Sequence, residues 1–199
     1  MKPCHAAARL LALAVIAAHC GAAVATAGPA PHDLLIRNGM IYDGSGTLPY
    51  AGEVAIDRDR ISYVGPARNS GAKTVIDARG QAIAPGFINM LAHTEESLFA
   101  DGRALSDLKQ GVTLEVLGED SMGPLNPAMQ RSMAAHQGDI KYPVSWSTLG
   151  QYLSLLERRG VAPNLASFVG AGTVRSHVLG AANVQPSAAQ LLAMRALVR

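Results

Sequence analysis

Two periodicities divide the chain. Between residues 33 and 84, short apolar runs alternate with Gly, Asn and Asp, the pattern of β-strands joined by tight turns. Residues 34–39 read as a strand entering an Asn38-Gly39 turn, with 40–43 continuing after it. Residues 53–56 and 60–64 flank Asp57-Arg58-Asp59 and predict a hairpin; residues 74–77 and 81–84 flank Ala78-Arg79-Gly80 and predict another. Strands this short and evenly spaced suggest a small β-sandwich or open barrel.

Beyond Pro85 the rhythm becomes strand, helix, strand, helix. A predicted strand at 87–91 leads to a helical stretch near 95–110 that Gly102 weakens. Residues 112–117 and 164–169 are two further strand candidates. Asn126 and Pro127 supply a cap and a first turn for a helix through His136. Residues 148–159 carry Leu149, Tyr152, Leu153, Leu155 and Leu156 at helical spacing and stop at Gly160. Pro186-Ser187 opens a last helix, 188–199, with Leu191, Leu192, Met194, Leu197 and Val198 apolar. The expected fold class is α/β: a small β-sandwich over 33–84, then parallel strand–helix repeats over 85–199, too few for a closed TIM-type (β/α)8 barrel and so at most an incomplete one. A closed barrel of that kind takes about 250 residues. The chain therefore reads as the N-terminal part of a larger architecture, a truncated product or a fragment. Its uncovered strand edges and apolar faces predict poor solubility in isolation.

The first residues follow a different pattern. Lys2 and Arg9 precede an apolar run at 10–18, and Ala25-Thr26-Ala27 offers a small-residue cleavage site. Residues 1–27 read as a secretory signal peptide and 28–32 as a Pro-rich linker, which implies a secreted or periplasmic product. Cys4 and Cys20 would leave with the leader, so no thiol remains for a disulfide or a metal. Lys2 and Arg9 would leave too, and 15 basic residues then balance 15 acidic ones. A near-neutral chain without basic runs gives no electrostatic reason to expect nucleic acid, or a membrane surface once the leader is cut. Hydrophobic content of 49% argues for a folded protein, and 5% aromatics for a mainly aliphatic core.

Candidate chemistry gathers after the 87–91 strand, at His93-Thr94-Glu95-Glu96. Parallel-barrel enzymes present metal ligands and catalytic groups at the C-terminal ends of their strands. The same residues also suit a helix start, with Thr94 as cap and Glu95 and Glu96 favouring the helix dipole. Glu96 reads better as a helix N-terminal residue, and His136 as a solvated one.

In order along the chain, Asp33-Leu34-Leu35-Ile36-Arg37-Asn38-Gly39, Ile41-Tyr42-Asp43-Gly44-Ser45-Gly46, Val75-Ile76-Asp77-Ala78-Arg79-Gly80, Ala84-Pro85-Gly86-Phe87-Ile88, Gln110-Gly111-Val112-Thr113 and Pro163-Asn164-Leu165-Ala166-Ser167-Phe168-Val169-Gly170 resemble the amidohydrolase superfamily. They most resemble its N-acyl-D-amino-acid deacylase (D-aminoacylase) branch. The resemblance implies a β-sandwich on a metal-dependent barrel, hydrolysis of a non-peptide carbon–nitrogen bond, one or two zinc ions, and a small-molecule substrate such as an N-acyl amino acid or related amide. It also implies ligand positions, and several depart from the family pattern. Where Pro-Gly-Phe-Ile-Asp-x-His-x-His is expected, Asn89 replaces the Asp and Leu91 the first His, leaving His93 as the metal candidate. Where Gly-Asn-Cys is expected stand Gly118-Glu119-Asp120, so Glu119 and Asp120 are the carboxylate candidates in place of a thiolate. Ala171 stands where a third-strand His would be. Arg175 and His177 follow that strand, at a rim where a substrate carboxylate is held or on a surface loop. These departures leave a second expectation, a catalytically inactive remnant acting at most as a binding protein.

Overall fold

The computed structural model describes residues 31–199; the expected leader lies outside them. The chain forms two compact units, one from residues 31–41 with Pro49–Ala82, the other from Tyr42–Leu48 with Ile83–Arg199.

The first unit is built on β1 (His32–Ile41), β2 (Tyr50–Asp57), β3 (Arg60–Gly65) and β4 (Ala72–Asp77), in the order β3-β2-β1-β4, with the short β5 (Ala82–Ile83) also on β1. The β2–β3 hairpin is present as expected, turning on Arg58, which has φ 58° and donates its N–H to Asp33 Oδ2 at 2.8 Å. Two expectations are corrected. The Asn38-Gly39 pair does not end β1: pairing with β2 jumps from Ile36↔Val54 to Gly39↔Gly52, a bulge made where Asn38 takes φ 58°. Asn tolerates that conformation, and here its amide also donates to Asp77 at 3.1 Å. Residues 74–84 do not form a hairpin, because β4 runs parallel to β1 and β5 pairs with β1 rather than β4. Leu35, Ile41, Val54 and Ala55 fill the core of this unit. Glu53 is buried among them and kept satisfied by the Arg68 N–H at 2.9 Å.

The second unit has three parallel strands, β6 (Phe87–Asn89), β7 (Val112–Leu117) and β8 (Asn164–Ser167), in the order β6-β7-β8. Around them lie α1 (Ser97–Ala100), α2 (Leu105–Leu108), α3 (Pro127–Ala135), α4 (Leu149–Arg159), α5 (Ala171–Leu179) and α6 (Ala188–Leu197). The helix expected near 95–110 is broken into α1 and α2. The break lies at Asp101, extended at φ −145° and ψ 98°, and at Ala104, left-handed at φ 44°; between them Gly102 passes so near the Gly160 carbonyl that a Cβ would sit 2.6 Å from it. α3 is capped by Asn126, whose side chain accepts the Met129 N–H, with Pro127 in the first turn. α4 and α6 start with full capping boxes, Thr148 with Gln151 and Ser187 with Gln190. α5 was not expected from the pattern.

The core of this unit is less aliphatic than composition suggests. Tyr152 and Leu156 of α4 are fully buried against Leu98, Phe99, Leu117, Tyr142 and Trp146. Phe99 stacks on Tyr142 at 4.6 Å between ring centroids, and Trp146 lies 5.2 Å from Tyr152. Few aromatics are present, but four of the nine meet at one place, and pairs of this geometry add about 1 kcal/mol each beyond burial.

Candidate functional site

Parallel pairing brings the C-terminal ends of β6 and β7 side by side, so the loops that follow them meet. The loop after β6 carries His93 and the loop after β7 carries Glu119. Their Nε2 and Oε2 atoms approach to 3.7 Å, each side chain 65% exposed. Gly118 immediately precedes Glu119. It turns the chain out of β7 at φ 106°, and its N–H donates to Glu95 Oε1 at 3.3 Å.

The chemistry of the pair is that of a partial cation site. Two donors bonded at about 2.0 Å around a tetrahedral ion sit a little over 3 Å apart, close to the observed separation. Imidazole nitrogen and carboxylate oxygen suit zinc and also harder divalent ions. Among the described residues, no set of three or more His, Cys, Asp or Glu is placed to hold a metal ion. Asp120 does not complete a set with His93 and Glu119. Instead its carboxylate faces the start of α5, 3.7 Å from where a Gly172 Cβ would stand. There it lines an open groove of about 470 Å³ with Glu96, His136, Thr173 and Ser176. Leu91, exposed on the same loop, has no donor atom.

Arg175 and His177 lie in helix α5, which corrects the surface-loop alternative. Arg175 donates to the carbonyls of Ala182 at 2.9 Å and Val184 at 2.8 Å, tying α5 to the segment after it. His177 Nδ1 lies 3.2 Å from the Pro124 carbonyl, which makes it the donor, while its own carbonyl accepts from Asn126. Both side chains are thus engaged with backbone. Glu96 precedes α1, as its sequence context indicates, and accepts the Tyr142 hydroxyl at 2.8 Å. His136 is exposed at the end of α3 and bonds the Ser132 carbonyl.

One functional candidate was missed. Glu115 sits in the middle of β7, pairs in register with Asn89 and Leu165, and is fully buried. Alternation along the strand puts it on the face shared with Leu117, whose side chain packs among the helices. Glu115 Oε2 accepts the Thr94 hydroxyl, and Oε1 is buried without a partner. Burial raises its pKa, partly opposed by the Thr94 bond and assisted by the negative charges of Asp107 and Glu95. The phenols of Tyr142 and Tyr152 are pushed up too, chiefly by burial, so both remain hydrogen-bond donors.

A stability prediction follows with a definite sign. Folded Glu115 holds its proton more tightly than the unfolded chain does, so its contribution is complete below the ordinary Glu range. That contribution is lost as pH rises through the upward-shifted folded titration. Asp101, held at about 2 by the Arg103 guanidinium, contributes in the opposite sense. Comparing urea denaturation of the wild type and Glu115→Gln from acidic to neutral pH isolates the first effect. The stability difference should move in favour of Gln as pH rises; a pH-independent difference would contradict it.

No protein-family model matches the chain. The D-aminoacylase of Alcaligenes xylosoxydans xylosoxydans is 30% identical, the match covering 84% of this chain and 35% of that enzyme. Among solved structures, a D-aminoacylase with a binuclear metal centre is 29% identical with a TM-score of 0.70, over 84% of this chain and 36% of the other. An N-acyl-D-glutamate deacylase of Bordetella bronchiseptica, solved with zinc and a phosphonate inhibitor, has a TM-score of 0.69 at 23% identity and shares the fold, over 84% of this chain and 35% of the other. The chain spans about a third of the length of the relatives it matches.

Proposed function

We propose that the chain, which matches about a third of the length of D-aminoacylases in sequence and fold, forms the N-terminal part of a metal-dependent hydrolase acting on the amide carbon–nitrogen bond of an N-acyl amino acid. In this reading the first unit contributes to a β-sandwich, and β6 to β8 with their helices are the first repeats of a (β/α)8 barrel. The strict parallel order β6-β7-β8 and the alternation of strands with helices support it. So do the exposed apolar side chains of Phe87, Ile88, Met90 and Phe168, which further strands would cover. The same reading has residues 1–27 act as an export signal, giving a periplasmic or secreted product.

The observation that carries the proposal is the meeting of His93 and Glu119 at the C-terminal ends of two adjacent parallel strands. A bound zinc or related divalent ion would polarise the substrate carbonyl and lower the pKa of a coordinated water. His93 would offer Nε2 to that ion and Glu119 a carboxylate oxygen. The donor set fits, but as part of a site, since Leu91 contributes nothing and Asp120 faces elsewhere.

Titration of the full chain with Zn2+ tests the reading. Binding should be detectable in the wild type and should weaken at least roughly tenfold in His93→Ala and in Glu119→Gln, the scale at which even outer-shell changes act on metal sites. A wild-type chain that takes up no metal would overturn the metal assignment and favour the inactive remnant, for which the replacement by Leu91 speaks.

A further inference from the structure

The loop bearing His93 is held from beneath on both sides. Ala92 N–H donates to the Val116 carbonyl at 3.0 Å, anchoring the loop to β7. Tyr152 donates to the Glu95 carbonyl at 3.0 Å, and Tyr142 to the Glu96 carboxylate at 2.8 Å. Immediately beside His93, Thr94 bonds to Glu115. The two tyrosines belong to the aromatic core, where burial accounts for them. Glu115 has no such account. Its neighbours in β7, Leu114 and Val116, are apolar, and a buried carboxyl with one unpartnered oxygen reduces stability relative to an apolar residue. Its single hydrogen bond goes to the residue after His93.

We propose that Glu115 is a positioning residue: by accepting the Thr94 hydroxyl it fixes the loop that presents the His93 imidazole to Glu119, and so sets the affinity of that pair for a divalent cation. The inference rests on the metal reading of the pair. His93 and Glu119 are both largely exposed, so neither is oriented by packing around its own side chain. Orientation has to come through the backbone, and the Thr94–Glu115 bond is the side-chain contact nearest to His93 in sequence. Outer-shell contacts of this kind change metal affinity by roughly ten- to a hundredfold.

The test uses the full chain with Co2+ as the probe, read by its visible absorption, and amide hydrogen exchange of residues 92–96 without metal. Thr94→Val removes the donor at constant shape, and Glu115→Leu removes the acceptor. Both should weaken Co2+ binding roughly tenfold or more and speed exchange in the loop. Thr94→Ser and Glu115→Gln, which retain donor and acceptor, should bind within about twofold of the wild type, a recovery that a general loss of packing would not give. Thr94→Val binding Co2+ as tightly as the wild type, with unchanged exchange, would overturn the positioning role and leave the metal reading standing. A wild type that binds no Co2+ would overturn both, even with the loop protected from exchange.

Discussion

Trp146→Ala is expected to lower the unfolding free energy by about 4 kcal/mol, the upper range for deletion of a buried aromatic side chain. Trp146 is 1% exposed and touches Phe99, Tyr142 and Tyr152, each through its ring. Its indole N–H donates to the Met122 carbonyl at 2.5 Å, so removal also strands a buried acceptor. Small domains have about 5–15 kcal/mol in total, so the variant would lie near the edge of folding. Urea denaturation followed by far-ultraviolet circular dichroism measures the loss. Trp146→Phe, which keeps a ring but not the donor, should cost clearly less. A loss below about 1 kcal/mol for the alanine variant would mean that the surrounding helices close over the void, against the close packing described.

Gly118→Ala should be the most damaging small change near the candidate site. A Cβ there would lie 2.2 Å from the Phe168 carbonyl oxygen and 2.8 Å from the Phe168 nitrogen, both backbone atoms that cannot rotate away. Phe168 N–H also donates to the Leu117 carbonyl at 2.8 Å, so separating the chains breaks a link between the ends of β7 and β8. The φ of 106° adds strain for any L side chain. Strained backbone and overpacking each cost about 1–3 kcal/mol, and the combined loss should be about 3 kcal/mol. Because Glu119 is the next residue, the substitution should also weaken metal uptake relative to a stability-matched core variant. Thermal melting with and without Zn2+ separates the two effects. An unchanged melting temperature would show that the strand ends part without cost.

Capping and apolar spacing made α3, α4 and α6 legible, because those signals are local: Asn126, Thr148 and Ser187 each bond the N–H three residues on. α5 was hidden for the same reason. It has no side-chain cap, contains Gly172, and includes the β-branched Thr173, Val174 and Val178. Strand positions in the first unit were readable, but partners were not. Period-two alternation is identical whether β4 turns back as a hairpin or runs parallel to β1. At the site, His93 and Glu119 could be picked out, but their approach depends on register between β6 and β7. Glu115 was unreadable within Val112–Leu117, since a lone acid in an apolar run shows neither its burial nor its bond to Thr94.

Trp146 is the only tryptophan in the sequence, and it lies wholly within the second unit. The chain therefore carries one tryptophan emitter, shut away from water and dissolved quenchers. Its emission should be blue-shifted in the folded protein and move to the red when the aromatic core opens. The first unit is dark by this measure: it could unfold completely while the emission stayed constant. Two optical signals, tryptophan emission and far-ultraviolet ellipticity, would then trace different parts of the same molecule, and their divergence would reveal whether the units melt together.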